Sequence, residues 1–173
     1  HFVLATHYHA DHVGGLDELI DNFTVLSVWD RGLVGAPTTT SYKSYSRAAG
    51  SKRNTVVVGS SFVLGGGAKA TVLASNGKVG SKTYALTGTQ QVENSGSIVL
   101  RLEYGDFSMW LGGDLLGGAN GTFDLESKVA PVCGDVDVYH VNHHGSNTSS
   151  NSTLLGWLKP EVSMVSNGAR NPY

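Results

Sequence analysis

Close to its start the chain reads Thr6-His7-Tyr8-His9-Ala10-Asp11-His12, and few folds can accept that run. Three imidazoles and a carboxylate packed so closely cannot all be satisfied inside an apolar core, because buried polar groups need partners. The run is therefore read as a metal-binding loop, since imidazole nitrogen and carboxylate oxygen suit Zn²⁺ and related divalent ions. In His7-x-His9, alternation with period two points both imidazoles the same way from the end of an extended segment. Asp11 and His12 lie beyond the next corner, placed to hold a second ion.

The flanks say where such a loop sits. Residues 2–6 read as a short strand that delivers it. Gly14-Gly15 follow, then Leu16, Leu19, Ile20 and Phe23 at helical spacing, with Asp17 and Glu18 suited to a first turn. Further strands are expected over 24–30, 70–74, 97–104, 107–111, 136–142 and 161–165, with strand pieces at 55–58 and 62–64. Gly105-Asp106 reads as a two-residue hairpin turn. Helices are expected over 41–49 and 154–158, the second stopped by Pro160. In the first of these, Tyr42, Lys43, Tyr45 and Arg47 interleave aromatics with cations, which fits either a solvated helix face or a flap against substrate.

Two other strand ends carry candidate ligands. Asp114 follows Gly112-Gly113 at the end of 107–111; alone it reads equally as a helix cap, and beside the histidine loop it reads as a carboxylate able to bridge two cations. His143-His144 follow 136–142. Neighbours on an extended chain point to opposite sides, so one of the pair is expected as a ligand and the other behind it or against substrate. Ser146 and Asn147 can donate to a bound anion or simply close a local turn, His140 reads as a strand residue, and His1 is given no role.

Composition removes several classes. With 173 residues and 40% hydrophobic content, the chain 1–173 is expected to be one domain with a real core. A net charge of −2 gives no general attraction to duplex nucleic acid or an anionic membrane, which leaves single-stranded nucleic acid reached through the metal loop. Cys133 is the lone cysteine, excluding an internal disulfide and a cysteine-rich zinc site. No apolar run approaches a membrane span. Asn-x-Ser/Thr triplets at Asn22, Asn120, Asn147 and Asn151 lean toward an extracellular or periplasmic protein.

The motifs together resemble a known family. His7-x-His9-x-Asp11-His12 between a strand and Gly-Gly, Gly-Asp114 after an apolar strand, and a later histidine look like the metallo-β-lactamase-fold hydrolase superfamily. Asn94 and Ser97 ahead of Ile98-Val99-Leu100-Arg101-Leu102, then Trp110-Leu111-Gly112-Gly113-Asp114, then Val141-Asn142-His143-His144-Gly145-Ser146, are similar to the hydrolase domain of ComEC-type competence proteins. Similar patterns occur in relatives that cleave phosphodiesters, including bacterial phosphorylcholine esterases.

The resemblance runs over nearly the whole chain and implies an α/β fold, a metallo-β-lactamase-like αββα sandwich with a dinuclear site along one edge of its two sheets. It implies that His7 and His9 hold one Zn²⁺ and Asp11 and His12 the other, with Asp114 bridging and one of His143 and His144 completing the first site. Mn²⁺ is the second metal to consider. The family's first strands precede the histidine motif, and in ComEC-like relatives a further His follows a segment like Asn171-Pro172-Tyr173. The fold is thus expected to lack its first strands and last C-terminal elements, as a fragment truncated at both ends.

The function expected is a metal-dependent hydrolase, foremost a phosphodiesterase acting on nucleic acid or a small phosphodiester or other ester. Two cations would activate a shared water, Asp11 would orient it, and His144 or His143 would protonate the leaving group. One alternative is lactone or β-lactam hydrolysis on the same centre, against which stands the lack of any histidine between His12 and Asp114. The other is a non-catalytic DNA-uptake or binding module of the same fold.

Overall fold

The computed structural model describes residues 1–86 and 88–168, so the Asn171-Pro172-Tyr173 segment lies outside the described residues. The chain divides into two compact units, His1–Val56 and Val57–Tyr173.

The first unit is a three-stranded parallel sheet with helices. Its elements are β1 (Phe2–Leu4), α1 (Ala10–Val13), α2 (Leu16–Asn22), β2 (Ser27–Asp30), α3 (Thr40–Ala49) and β3 (Arg53–Thr55). The strand order is β1-β2-β3, with Val3 paired to Val28 and Val28 to Arg53. The core joins Ala5, Tyr8, Val13, Ile20, Val25 and Val28 to Tyr42, Tyr45 and Ala49 of α3. That helix starts where Thr39 accepts a hydrogen bond from the Tyr42 N–H, satisfying one of the amides that a helix start leaves unpaired. Tyr42 and Tyr45 face inward while Lys43 and Arg47 are exposed, so 41–49 is an amphipathic helix with its aromatics in the core. The strand expected at 55–58 lies earlier, at Arg53–Thr55.

The second unit is built on an eight-stranded mixed sheet. Its strands are β4 (Ser61–Gly65), β5 (Ala68–Ser75), β6 (Lys78–Val79), β7 (Lys82–Thr83), β8 (Val99–Tyr104), β9 (Phe107–Leu111), β10 (Val138–His140) and β11 (Val162–Met164). The order is β11-β10-β9-β8-β5-β6-β7, with β4 pairing β5. Strands β8 and β9 form the expected hairpin, closing at Tyr104↔Phe107. Gly105 takes φ +58 there, a value a hairpin of two loop residues needs and glycine adopts without a Cβ penalty.

Among the described residues the α-helices of this unit are α4 (Val92–Ser95), α5 (Glu126–Cys133) and α6 (Ser152–Leu158). Helix α5 is hidden in the sequence by Pro131, which lies inside it. It buries Val129, Ala130 and Cys133 with Leu125, Leu154, Leu158 and the fully buried Trp110 and Tyr139. Helix α6 is capped by Asn151, whose side-chain oxygen accepts from the Leu154 N–H at 2.8 Å. Among the described residues no helix is long and apolar enough to cross a membrane.

Candidate functional site

The first unit supplies the histidine loop. Strand β1 ends at Leu4, and the chain bends at Thr6 and His7 before α1 begins at Ala10. The alternation expected for a regular strand therefore does not extend through the motif, yet the two imidazoles still meet: His7 Nε2 lies 3.2 Å from His9 Nδ1. His7 is wholly buried, and its other ring nitrogen lies 3.3 Å from the Thr6 hydroxyl. One turn on, His12 Nε2 is 3.4 Å from Asp11 Oδ2, and the Asp11 side chain is 59% exposed. The His7 and His12 rings are 4.1 Å apart between centroids.

The second unit supplies Asp114 and the histidine pair. Asp114 is buried after the Gly112-Gly113 turn, and its backbone N–H donates to Ser97 Oγ at 3.3 Å. His143 and His144 are not on an extended strand. Strand β10 stops at His140, and the two residues sit in a short 3₁₀ turn (Asn142–Gly145) with φ of 49° and 55°. Consecutive left-handed residues do not alternate, so the premise that the pair must diverge fails: His143 Nε2 lies 3.9 Å and His144 Nε2 3.6 Å from the Asp114 carboxylate. Left-handed backbone at non-glycine residues costs about 1–3 kcal/mol each, and the neighbouring hydrogen bonds hold it. The His143 N–H donates to the Gly113 carbonyl at 3.1 Å, and the Ser146 N–H to the His143 carbonyl at 2.8 Å.

The two histidines differ in what holds their rings. His143 is clamped on both sides, with Nε2 3.0 Å from the Asn94 amide nitrogen and Nδ1 3.0 Å from Thr148 Oγ1. His144 places Nδ1 2.7 Å from the Ser166 carbonyl oxygen. A carbonyl only accepts, so Nδ1 carries the proton and donates. In the neutral ring Nε2 is then the lone-pair nitrogen, and it is the atom that faces Asp114. An outer hydrogen bond of this kind orients metal-binding histidines.

Ahead of the pair, Asn142 is bonded at both ends of its side-chain amide. Its Nδ2 donates to Glu126 Oε1 at 2.8 Å, and its Oδ1 accepts from Trp110 Nε1 at 2.9 Å. Glu126 also accepts from the Ser150 and Asn151 N–H groups at 2.7 and 2.8 Å. Burial is the main effect on its carboxyl and pushes its pKa up, against the three donors that favour the charged form.

The donor set fits a divalent cation. Two ligand atoms on one tetrahedral Zn²⁺ stand about 3.3–3.6 Å apart, given bonds near 2.0–2.2 Å. The pairs His7–His9, Asp11–His12 and Asp114–His144 stand at 3.2, 3.4 and 3.6 Å. All are nitrogen or oxygen donors in groups that can hold a metal ion. His140 and Ser146 stand outside this set: His140 Nε2 lies 2.9 Å from Ser166 Oγ, and Ser146 Oγ lies 2.9 Å from Thr148 Oγ1 in a local turn. Ser166, Thr148, Asn142 and Glu126 support the ligands without a mark in the sequence, because a lone serine, threonine, asparagine or glutamate carries no spacing signal.

Known proteins share parts of this sequence and its fold. The Metallo-beta-lactamase superfamily domain matches residues 1–168. Recombination protein 2 of Haemophilus influenzae is 35% identical over 83 residues, and Competence protein ComA of Neisseria gonorrhoeae 36% identical over 83 residues. Those matches take in 48% and 47% of this chain and only 10% and 11% of those proteins. Among solved structures, the diiron beta-hydroxylase CmlA from Streptomyces venezuelae is similar with TM-score 0.57 and 16% identity, over 92% of this chain and 34% of that one. Zn(2+)-bound PqqB from Methylobacterium extorquens is similar with TM-score 0.50 and 17% identity, over 94% of this chain and 62% of its own. These two likenesses show a shared fold.

Proposed function

Because the chain belongs to the metallo-beta-lactamase superfamily, we propose that it is a metal-dependent hydrolase that cleaves phosphodiesters. The observation that carries the proposal is the trio of donor pairs at 3.2, 3.4 and 3.6 Å, each spaced as two ligands of one small cation are. His7, His9, Asp11 and His12 of the first unit, and Asp114 and His144 of the second, are the residues read as ion ligands. Zn²⁺ is the first choice for this nitrogen-rich set, with Mn²⁺ and iron also compatible with imidazole and carboxylate. When bound, such ions lower the pKa of water toward about 7 and stabilise charge developing on the substrate.

The chain's own residues supply the rest. Asp11, exposed enough to reach an incoming water, accepts its hydrogen bond and aims it at phosphorus. Asp114 is held by the Ser97 hydroxyl through its backbone and places an oxygen 3.6 Å from the His144 Nε2, two acceptors that a cation would bring together. His144 cannot at once bind an ion through Nε2 and give a proton from it. Its Nδ1–H bond to the Ser166 carbonyl supports the ligand role over that of general acid.

Phosphodiester cleavage is preferred to lactone or β-lactam hydrolysis because the sequence relatives are a recombination protein and a competence protein. The same relatives leave a second reading, a non-catalytic DNA-uptake module whose ions are structural; the net charge of −2 and the Asn-x-Ser/Thr triplets suggest that it would work on single-stranded nucleic acid outside the cytoplasm. Turnover of bis-p-nitrophenyl phosphate with added Zn²⁺ or Mn²⁺ separates the two, with Asp11→Ala as the control. Metal-dependent cleavage lost in Asp11→Ala is expected. Ion binding without turnover on this or a lactone or β-lactam substrate would move the chain to the second reading.

A further inference from the structure

Tyr8 stands between His7 and His9, and it is tethered at every face. Its hydroxyl donates to the Gly32 carbonyl at 2.7 Å and accepts from Arg53 Nη2 at 2.8 Å. Its ring packs against Tyr42 at 4.7 Å between centroids, and the Arg31 guanidinium lies 4.4 Å over its face.

Arg53 ties this tyrosine to the rest of the unit. Its Nε donates to Asp30 Oδ2, and its Nη1 lies 3.0 Å from Tyr42 Oη and 3.2 Å from Ser46 Oγ. Asp30 is wholly buried and accepts two more bonds, from Tyr45 Oη at 2.7 Å and from the Gly32 N–H at 2.8 Å. Strands β2 and β3 and helix α3 thus converge on one side chain of the histidine loop.

A buried ion pair is a poor device for stability alone, because well-packed apolar residues of the same volume serve as well or better. What a guanidinium adds is a rigid planar fork of donors with fixed directions. Fixing the ring and the hydroxyl of Tyr8 fixes the direction of its Cα–Cβ bond. That in turn sets how the residues on either side present their rings, and His7 and His9 meet at 3.2 Å. We propose that Asp30, Arg53 and Tyr8 are positioning residues that hold His7 and His9 in ion-binding geometry before an ion arrives. The proposal rests on His7 and His9 being ion ligands, as argued above.

The test is the Zn²⁺ dissociation constant of the apo protein, read by competition with a chromophoric chelator well below each variant's melting transition. Tyr8→Phe removes only the hydroxyl, and Arg53→Lys keeps the charge but loses the fork. Ile20→Val perturbs the same core without touching the network. Both network variants are expected to bind Zn²⁺ about 10- to 100-fold more weakly, the range seen when outer partners of ligand histidines are lost, with Ile20→Val unchanged. The visible absorption of the Co²⁺ form should change in the same two variants. If Tyr8→Phe fails to fold, Arg53→Lys carries the test. Loss of stability with wild-type Zn²⁺ affinity in the network variants would make the cluster merely structural and overturn the proposal. A wild-type protein that binds no ion would instead overturn the ligand reading itself, and that result appears before any substitution is made.

Discussion

Asn142 donates its side-chain amide to Glu126 Oε1 at 2.8 Å, and this bond fixes the residue from which His143 and His144 spring. The carboxylate accepts from two backbone N–H groups as well, so Glu126→Gln would turn an amide NH₂ toward a donor. A buried donor left without an acceptor costs about 1–3 kcal/mol. Urea unfolding is expected to show a loss of that size in Glu126→Gln, together with weaker ion binding. A variant as stable as wild type would remove Glu126 from the support of the turn.

The pH dependence of that difference has a defined sign. Burial raises the Glu126 pKa in the folded protein above its ordinary value of 4.5. The folded state therefore holds the proton more tightly than the unfolded chain does. Its contribution is fully present below the unfolded pKa and is lost as pH rises through the raised folded value. Wild type should gain on Glu126→Gln as pH falls from neutral toward mild acid. A gap that narrows over that interval would contradict the direction of the shift.

The contrast between Glu126 and the histidine loop shows what a chain of this kind discloses in its order of residues. His7, His9, Asp11 and His12 are legible because all their donors lie in one short stretch. The β8–β9 hairpin and the helix over Thr40–Ala49 are legible for the same reason: turn and periodicity are local. Glu126 looks like a surface charge, since its partners Asn142, Ser150 and Asn151 are 16, 24 and 25 residues away. Asp30 and Arg53 meet across 23 residues and carry no motif. Nothing ahead of Gly145 announces the left-handed turn at His143 and His144, because few residues other than glycine take it.

That turn makes a sharp prediction about the pair. His144 turns a lone-pair Nε2 toward Asp114, while His143 has both ring nitrogens held by Asn94 and Thr148. His144→Asn is expected to lower the bound ions by one per chain when metal content is measured by plasma emission. His143→Asn should keep them. The reverse pattern would make His143 the ligand and the Ser166 bond incidental.

Gly112 packs directly against the support beneath the Asp114 turn. A Cβ at this position would collide with Asn142 Oδ1 and Trp110 Nε1, the two atoms that bond each other at 2.9 Å. No left-handed φ is involved, so the effect of Gly112→Ala is steric alone. Overpacking of this kind costs about 1–3 kcal/mol. Gly112→Ala should unfold at lower urea concentration, with Trp110 fluorescence altered in the folded state. An Ala variant with wild-type stability and fluorescence would mean the neighbours can yield, and that Asn142 is held less firmly than its bonds indicate.

Ion removal tests the donor pairs without any substitution. If the three pairs at 3.2, 3.4 and 3.6 Å bind cations only when folded, free Zn²⁺ stabilises the native state by mass action. Each ion adds about 2.7 kcal/mol at a free concentration a hundredfold above its Kd, and the gain then grows with the logarithm of concentration. The melting temperature should fall when a chelator is added and climb again as Zn²⁺ is restored. Asp114→Asn, which removes a charge but little volume, should flatten that dependence. A melting temperature indifferent to chelator and to Zn²⁺ would show that the spacing of these donors is fortuitous, whatever their resemblance to a ligand set.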